Sequence, residues 1–336
     1  MNATTTAFGY ATNLPVDDPS SLVACEVALP DLAPHDLLVE VRAVSVNPVD
    51  VKQRAGASAH GFRVLGYDAA GVVREVGAQV DLFAPGDEVF YAGSIARPGS
   101  NQLLHAVDER IVGHRPRTLS FADSAGVPLV ALTAWESVVD RLGLGPDSSG
   151  TLLVVGASGG VGSMLVQIVR VLAPRVHIVA TASSDRSRAW VSGLGADATV
   201  DHHGDLAAQV LELAPGGVDW LFTAHSADQV PTYARIVAPY GHVVAIDGGP
   251  RDVAPLSARS IAWHWELMFT APLHQPDSRH QHEILEQVAA LLDEGRLRPI
   301  TATVLRPFDA ATLREGHRLV ETGRTVGKVV VTSEPA

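Results

Sequence analysis

Two rhythms of apolar and polar positions run along this chain. In the first part, Leu37, Val39, Val41 and Ala43 alternate with Leu38, Glu40 and Arg42, the pattern of a half-buried strand. Gly66 to Val73 leads into another strand, and Pro85-Gly86-Asp87-Glu88 marks a turn before Val89-Phe90-Tyr91. Short strands between Gly and Pro turns predict a compact, barrel-like β domain. From Ser120 the pattern becomes helical, through Ala122 to Arg141, and then alternates. Strands at 152–155, 176–180, 198–201, 218–223 and 241–246 are separated by helices at 160–172, 186–194, 205–214 and 228–238. Strict alternation at these lengths predicts a doubly wound parallel sheet. Residues 281–294 and 309–321 predict amphipathic helices and Gly327 to Thr332 a closing strand, and the changed rhythm assigns this tail to the first domain. The fold class expected is α/β, with a β-rich domain over 1–126, an inserted parallel sheet over 127–270 and a return to the first domain over 271–336.

The stretch Thr151 to Leu172 organises the second part. Leu152 to Val155 is an apolar run suited to a strand covered on both faces, and Val161, Leu165, Ile168 and Leu172 mark one helix face. The loop between them carries Gly156, Ala157, Ser158, Gly159, Gly160, Val161 and Gly162. Its spacing is Ala157-x-Gly159-x-x-Gly162, or Gly156-x-x-Gly159-x-x-Gly162, so Ala stands at one usual glycine position. A plain strand-to-helix turn would need no such run. A strand before it, a helix after it and a second strand at Val176 to Ala180 supply the context of a dinucleotide site, where backbone N–H groups approach a pyrophosphate at a helix N-terminus.

Composition narrows the class. Of 336 residues, 46% are hydrophobic and 18% charged, ordinary for a globular chain long enough for two cores. A net charge of −12 argues against nucleic acid or an anionic membrane as partner. One cysteine, Cys25, excludes an internal disulfide and a cysteine-rich metal site. The first residues lack a signal-peptide pattern, and no apolar run reaches the ~18 residues of a spanning helix, so a cytoplasmic location is expected.

The tip of the second strand reads Ala180-Thr181-Ala182-Ser183-Ser184-Asp185-Arg186. An NAD site usually has an acidic residue at the tip to bond the ribose 2′-OH. Here the first acidic residue, Asp185, lies beyond it and opens a helix, where it serves as cap or first-turn charge. Ser183, Ser184 and Arg186 offer donors to a 2′-phosphate, which favours NADPH over NADH. Solvated helix charge is the plain alternative for Arg186.

Six ordered segments then carry a family resemblance over essentially the whole chain: 45–56 (SVNPVDVKQRAG), 64–77 (VLGYDAAGVVREVG), 86–93 (GDEVFYAG), 127–136 (VPLVALTAWE), 156–162 (GASGGVG) and 327–331 (GKVVV). They resemble the medium-chain dehydrogenase/reductase superfamily and, within it, the zinc-independent quinone oxidoreductase branch, whose members are often called zinc-type alcohol dehydrogenase-like. The run Ser260 to Thr270 resembles one subgroup of that branch. The resemblance implies a GroES-like catalytic domain with an inserted Rossmann domain, an active site in the cleft between them, and commonly a dimer or tetramer, here a homodimer.

Zinc-holding members use a Cys, a His and a further Cys or Asp. The matching positions here are Asn47, Tyr67 and the neighbourhood of Val130 and Ala131, which do not supply three ligands. The fourteen histidines include His202-His203 and His280 with His282, but without a constellation they are expected to be surface or core residues. No metal is expected.

Without a Lewis acid, the chemistry that fits is hydride transfer to an electron-poor acceptor, a quinone or an α,β-unsaturated carbonyl, helped by a donor on the acceptor oxygen. The resemblance implies that Asn47 lies near the nicotinamide ribose, against the alternative of an Asn-Pro turn. Tyr67 is either a donor or an aromatic filler, and Asp50 organises the loop or shuttles a proton. Tyr91 and Gly93 are candidates for the acceptor pocket. His202 matches a 2′-phosphate neighbour, and Thr133 a position near the nicotinamide or its phosphate. Ala245, Asp247 and Gly248 lie at the ligand end of a Rossmann strand. Phe269 and Thr270 resemble the segment holding the carboxamide, and Lys328 a basic residue near the cofactor. Trp263 and Trp265 are expected in packing or dimer contact. The alternatives are an enoyl-thioester reductase of the same superfamily, or an NADPH-binding sensor or structural protein without significant turnover.

Overall fold

The computed structural model describes residues 4–56 and 61–335. The chain divides into two compact units, one of Met1–Leu132 with Phe269–Ala336, the other of Thr133–Met268.

The first unit is built on the long strand Asp36–Val46, whose apolar residues are almost all buried. It lies between Ala69–Val76 and Lys328–Thr332, antiparallel to both, in a 7-stranded sheet that continues through Thr301–Leu305 on one side and Glu88–Tyr91 and Val112–His114 on the other. The register sets Val46 against Val329 and Val44 against Ala69. The ends of three neighbouring strands therefore bring Asn47, Asp68 and Lys328 to one edge. Thr4–Tyr10, Val23–Ala28 and Arg63–Val64 make a smaller 3-stranded sheet.

A helix over Pro48–Gly56 was not legible in the apolar pattern. Pro48 opens it, where a missing N–H costs nothing, and it buries Asp50, Val51 and Arg54. The Arg54 guanidinium, 1% exposed, reaches Glu321 at 3.1 Å on the helix Ala310–Glu321, which ties the tail to the start of the chain. The helix expected through Ala122 to Arg141 is interrupted once: Phe121–Ala125 stands apart from Pro128–Trp135, which runs on directly into a π-helix over Glu136–Arg141. Gly126 caps the first piece and Pro128 starts the next, since proline cannot continue a helix by donation.

The second unit holds a 6-stranded parallel sheet in the order Ala198–Val200, Val176–Thr181, Gly150–Val155, Val218–Thr223, Val237–Ala245, Ala262–Trp265. The first strand in sequence lies in the middle, and the chain builds outward on one side before crossing to the other. This is the doubly wound order, with its switch point between Gly150–Val155 and Val218–Thr223. Leu153, Val155 and Val179 point to one face and pack with Val210, Tyr233 and Ile236. The fifth strand begins at Val237, earlier than the alternation predicts, because Val237 pairs with Val218 before a register shift. Among the described residues no helix is long and apolar enough to cross a membrane.

Candidate functional site

In the second unit the glycine loop leaves the carboxyl end of Gly150–Val155 and enters the helix Gly160–Leu172, with Gly159 as its N-cap. Gly156 has φ +83, a left-handed conformation that side chains rarely adopt, and its N–H donates to the Thr181 hydroxyl at 2.9 Å on the neighbouring strand. A Cβ on Gly162 would stand 2.5 Å from the Gly156 carbonyl oxygen and 2.6 Å from the Ala157 Cα, so helix and loop touch backbone to backbone. Ala157 is wholly buried, whereas Ser158, Gly159, Gly160 and Val161 keep partial exposure. The first amides of the helix have no acceptor within it and form an anion-binding end. The loop fits a dinucleotide pyrophosphate.

Around this loop the strand ends gather the other expected residues. Ser184 caps the helix Asp185–Leu194, and its hydroxyl accepts from the Ser187 N–H at 3.1 Å, so that oxygen has a structural task. Asp185 stands in the first turn, beside Arg188. Ser183 is partly exposed and Arg186 exposed, and the Arg186 guanidinium has no ion-pair or hydrogen-bond partner among the described residues. His202 is exposed and packs its ring on His203, with 4.2 Å between centroids; burial and the neighbouring His203 lower its pKa. At the end of Val237–Ala245, Ala245 is buried and Gly248 exposed, while Asp247 accepts from the Ser226 N–H and the Arg251 guanidinium, both at 2.8 Å. Its carboxyl is held below the usual range, the donors outweighing burial. Asp247 thus shapes the loop. Thr133 is 5% exposed, and its carbonyl accepts from the Ser137 hydroxyl.

In the first unit Asn47, Asp68 and Lys328 form a closed triangle. The Lys328 Nζ donates to Asn47 Oδ1 at 2.5 Å and to Asp68 Oδ2 at 2.9 Å, and Asn47 Nδ2 donates to Asp68 Oδ2 at 2.8 Å. The second Asp68 oxygen accepts from the Leu129 N–H at 2.7 Å. Asp50 accepts from the N–H groups of Asn47 at 2.8 Å and Gly66 at 2.9 Å, which fixes the loop that carries Asn47. All four side chains are at most 4% exposed. Burial lifts the Asp50 carboxyl to about 7, against the two N–H donors and Lys328. Burial also raises Asp68, opposed chiefly by the Lys328 ammonium and the Asn47 amide.

Both ends of the Asn47 amide are therefore engaged. The Tyr67 hydroxyl is engaged too: it donates to Gln53 Oε1 at 2.8 Å, which also accepts from Arg63 at 2.7 Å. Its ring meets Phe269 edge-on, centroids 5.3 Å apart, and burial raises its pKa to about 12. Thr270 is exposed at the start of a short helix. Tyr91 is fully buried and 3.0 Å from His105 Nδ1, while Nε2 of that ring is 3.0 Å from the Pro98 carbonyl. A carbonyl only accepts, so Nε2 carries the proton and Nδ1 takes the Tyr91 O–H. Burial lowers the His105 pKa to about 4, which keeps the ring neutral near pH 7. Gly93, also buried, has φ +78.

Three residues at these sites are not marked by the sequence pattern. Asp68 is a charged residue inside the apolar run LGYDAAGVV, and that incongruity is a signal. Gln53 becomes visible only once the helix over Pro48–Gly56 is known. His225 follows the strand at the switch point, its ring exposed and 3.4 Å from where a Gly156 Cβ would be, and nothing in its local sequence marks it.

The zinc chemistry of the wider family can be tested on these donors. The Asn47 oxygen is bonded to an ammonium, the Tyr67 hydroxyl is given to Gln53, and Val130 and Ala131 are buried apolar residues. Among the described residues no three His, Cys, Asp or Glu side chains gather into a metal-binding group. His282 gives its Nδ1 to the Val112 carbonyl at 2.7 Å. The donor set does not fit a zinc ion.

Residues 33–127 match the family described as alcohol dehydrogenase GroES-like domain, and residues 194–331 the family described as zinc-binding dehydrogenase. The zinc-type alcohol dehydrogenase-like protein of Staphylococcus epidermidis is 33% identical over 97% of this chain and 98% of its own. The chain belongs to the medium-chain dehydrogenase/reductase superfamily. A solved Rhizobium etli structure, provisionally a zinc-dependent alcohol dehydrogenase, is 44% identical over 100% of both chains with a TM-score of 0.94. The human mitochondrial protein named NAD(P)H oxidoreductase is 29% identical over 89% of this chain and 82% of its own. As a medium-chain dehydrogenase/reductase the chain is an oxidoreductase, and the nicotinamide coenzyme of that superfamily fits the glycine loop of the second unit.

Proposed function

We propose that this chain is a zinc-independent, NADPH-dependent reductase that delivers hydride to a quinone or an α,β-unsaturated carbonyl. The observation that carries the proposal is the engagement of Asn47 by Lys328 and Asp68 where zinc-holding relatives place a metal ligand. A site without a Lewis acid is poorly equipped to activate an alcohol, and best suited to acceptors already short of electrons. The coenzyme supplies the hydride from C4 of its nicotinamide. The chain's own residues bind and orient. Helix-end amides at Gly160 to Gly162 hold the pyrophosphate, and the open Arg186 guanidinium, with Ser183 and His202 nearby, suits a 2′-phosphate. The name of the human relative is compatible with either coenzyme. A homodimer, as the family resemblance implies, and a cytoplasmic location, as the lack of a signal-peptide pattern or spanning run suggests, are part of the same proposal.

The test follows oxidation of NADPH and NADH against a benzoquinone, a phenanthrenequinone, a trans-enal and an enoyl-CoA, with and without chelator. Chelator-insensitive turnover preferring NADPH is expected, and Arg186→Ala should raise KM for NADPH about tenfold with little effect on NADH. The best acceptor separates the quinone version from the enoyl-thioester version. Turnover abolished by chelator would overturn the zinc-free reading, and coenzyme binding without turnover on any acceptor would favour the sensor.

A further inference from the structure

The names of this chain's relatives speak of zinc, yet the donors at the corresponding place surround a different cation. We infer that the Lys328 ammonium is the resident cation of the first unit's polar site, that Asp68 and Asn47 are its ligands, and that it closes the site to divalent metals.

Three observations support this. Lys328 is 4% exposed, an uncommon place for a lysine, and it points both N–H bonds that have acceptors into side-chain oxygens, Asn47 Oδ1 at 2.5 Å and Asp68 Oδ2 at 2.9 Å. The coordinating groups are themselves preset: Asn47 Nδ2 is tied to Asp68 Oδ2, the other Asp68 oxygen to the Leu129 N–H, and the Asn47 N–H to Asp50. The oxygens would stay aimed at one point with the ammonium removed, as metal ligands fixed by an outer shell of hydrogen bonds do. Finally, the strand register, which pairs Val329 with Val46, carries Lys328 to a place opposite Asn47, so the main chain itself delivers the charge.

The charge accounting agrees. One ammonium matches one carboxylate, that of Asp68, 2.9 Å away. Two oxygen ligands with one full charge suit a monovalent cation, whereas zinc needs three N, S or O ligands and an open position. Lys328 therefore acts as a positioning residue: it holds the Asn47 amide in one orientation and denies its oxygen to a metal.

The inference deepens the zinc-independent reading above, but it is read by cation binding and not by turnover, so the two can fail separately. Lys328→Ala should lower the melting temperature of the full chain, and methylammonium should restore much of that loss, while tetramethylammonium at equal ionic strength, too large for the vacated place, should not. Lys328→Met, which fills the space without charge, should be destabilised and unresponsive to the amine. Equal stability of Lys328→Ala and wild type, or equal recovery with both amines, would overturn the assignment. The wild type supplies a check that needs no cavity variant. After dialysis against zinc it should retain no zinc that Asp68→Asn abolishes; one equivalent of zinc lost on that substitution would show that a metal, not the ammonium, belongs to these ligands.

Discussion

Lys328 and Asn47 stand at the adjoining ends of two antiparallel strands, 281 positions apart in the chain, with 2.5 Å between ammonium nitrogen and amide oxygen. Asp68, from the strand on the other flank, completes the contact. The polar site of the first unit is thus held by charge and amide bonding at the end of a central strand, Asp36–Val46, whose apolar residues are all buried.

Such a pair is costly to break from one side. Asp68→Ala would leave the Lys328 charge buried without its counter-ion and release the Leu129 N–H. A loss of about 3–5 kcal/mol in unfolding free energy is expected, measured by urea titration of the variant against the wild type.

Asp50 predicts a pH dependence with a defined sign. Its carboxyl is lifted from 3.8 to about 7 by burial, so between those values the folded chain binds a proton that the unfolded chain has released. Stability from this group is therefore full below about pH 4 and is lost as the pH rises through about 7, with a slope of at most about 1.4 kcal/mol per unit. Subtracting the pH profile of Asp50→Asn from that of the wild type should isolate the fall. A difference that is flat with pH would show the carboxylate to be charged in the folded state throughout.

Gly162→Ala tests the coenzyme loop. The added Cβ would meet backbone atoms of Gly156 and Ala157 at 2.5 and 2.6 Å, and backbone cannot swing aside as a side chain can. The loop must shift, at a cost of about 1–3 kcal/mol in stability. Affinity for the reduced nicotinamide coenzyme, read by its fluorescence, should fall with it.

Tyr67→Phe separates a proton donor from a packing residue. The hydroxyl is given to Gln53, which keeps its bond from Arg63, so no buried acceptor is orphaned. A stability loss of about 1 kcal/mol and turnover within a few-fold of wild type are expected, whereas loss of a general acid would cost about 10²–10⁴ in rate.

The second unit was the more legible of the two because its information is local. An apolar run, a glycine loop and a helix face lie within Thr151 to Leu172, and each repeat of strand and helix can be read by period alone. The boundaries that moved did so for tertiary or chain-geometry reasons: Val237 joins a strand because Val218 is beside it, and Pro128 divides what apolarity joined. The first unit's site is assembled from residues that no window contains together. Asn47, Asp50 and Lys328 drew notice through family resemblance, but their mutual bonding, and the place of Asp68 at its centre, depends on strand register across the whole chain. His225 carried no signal because only the switch of strand order brings it beside Gly156.

The separation of Asp68 from Lys328 by 260 positions also has a meaning in time. At about 5–20 residues per second, a ribosome that has just made Asp68 needs roughly 10–50 s to deliver its counter-ion. The contiguous segment Thr133–Met268 is finished within that interval and can close on itself, while the carboxylate stays hydrated and the long strand Asp36–Val46 lacks one neighbour. Synthesis therefore leaves the edge of the first unit's central strand unpaired until late, and the arrival of a single lysine coincides with its pairing.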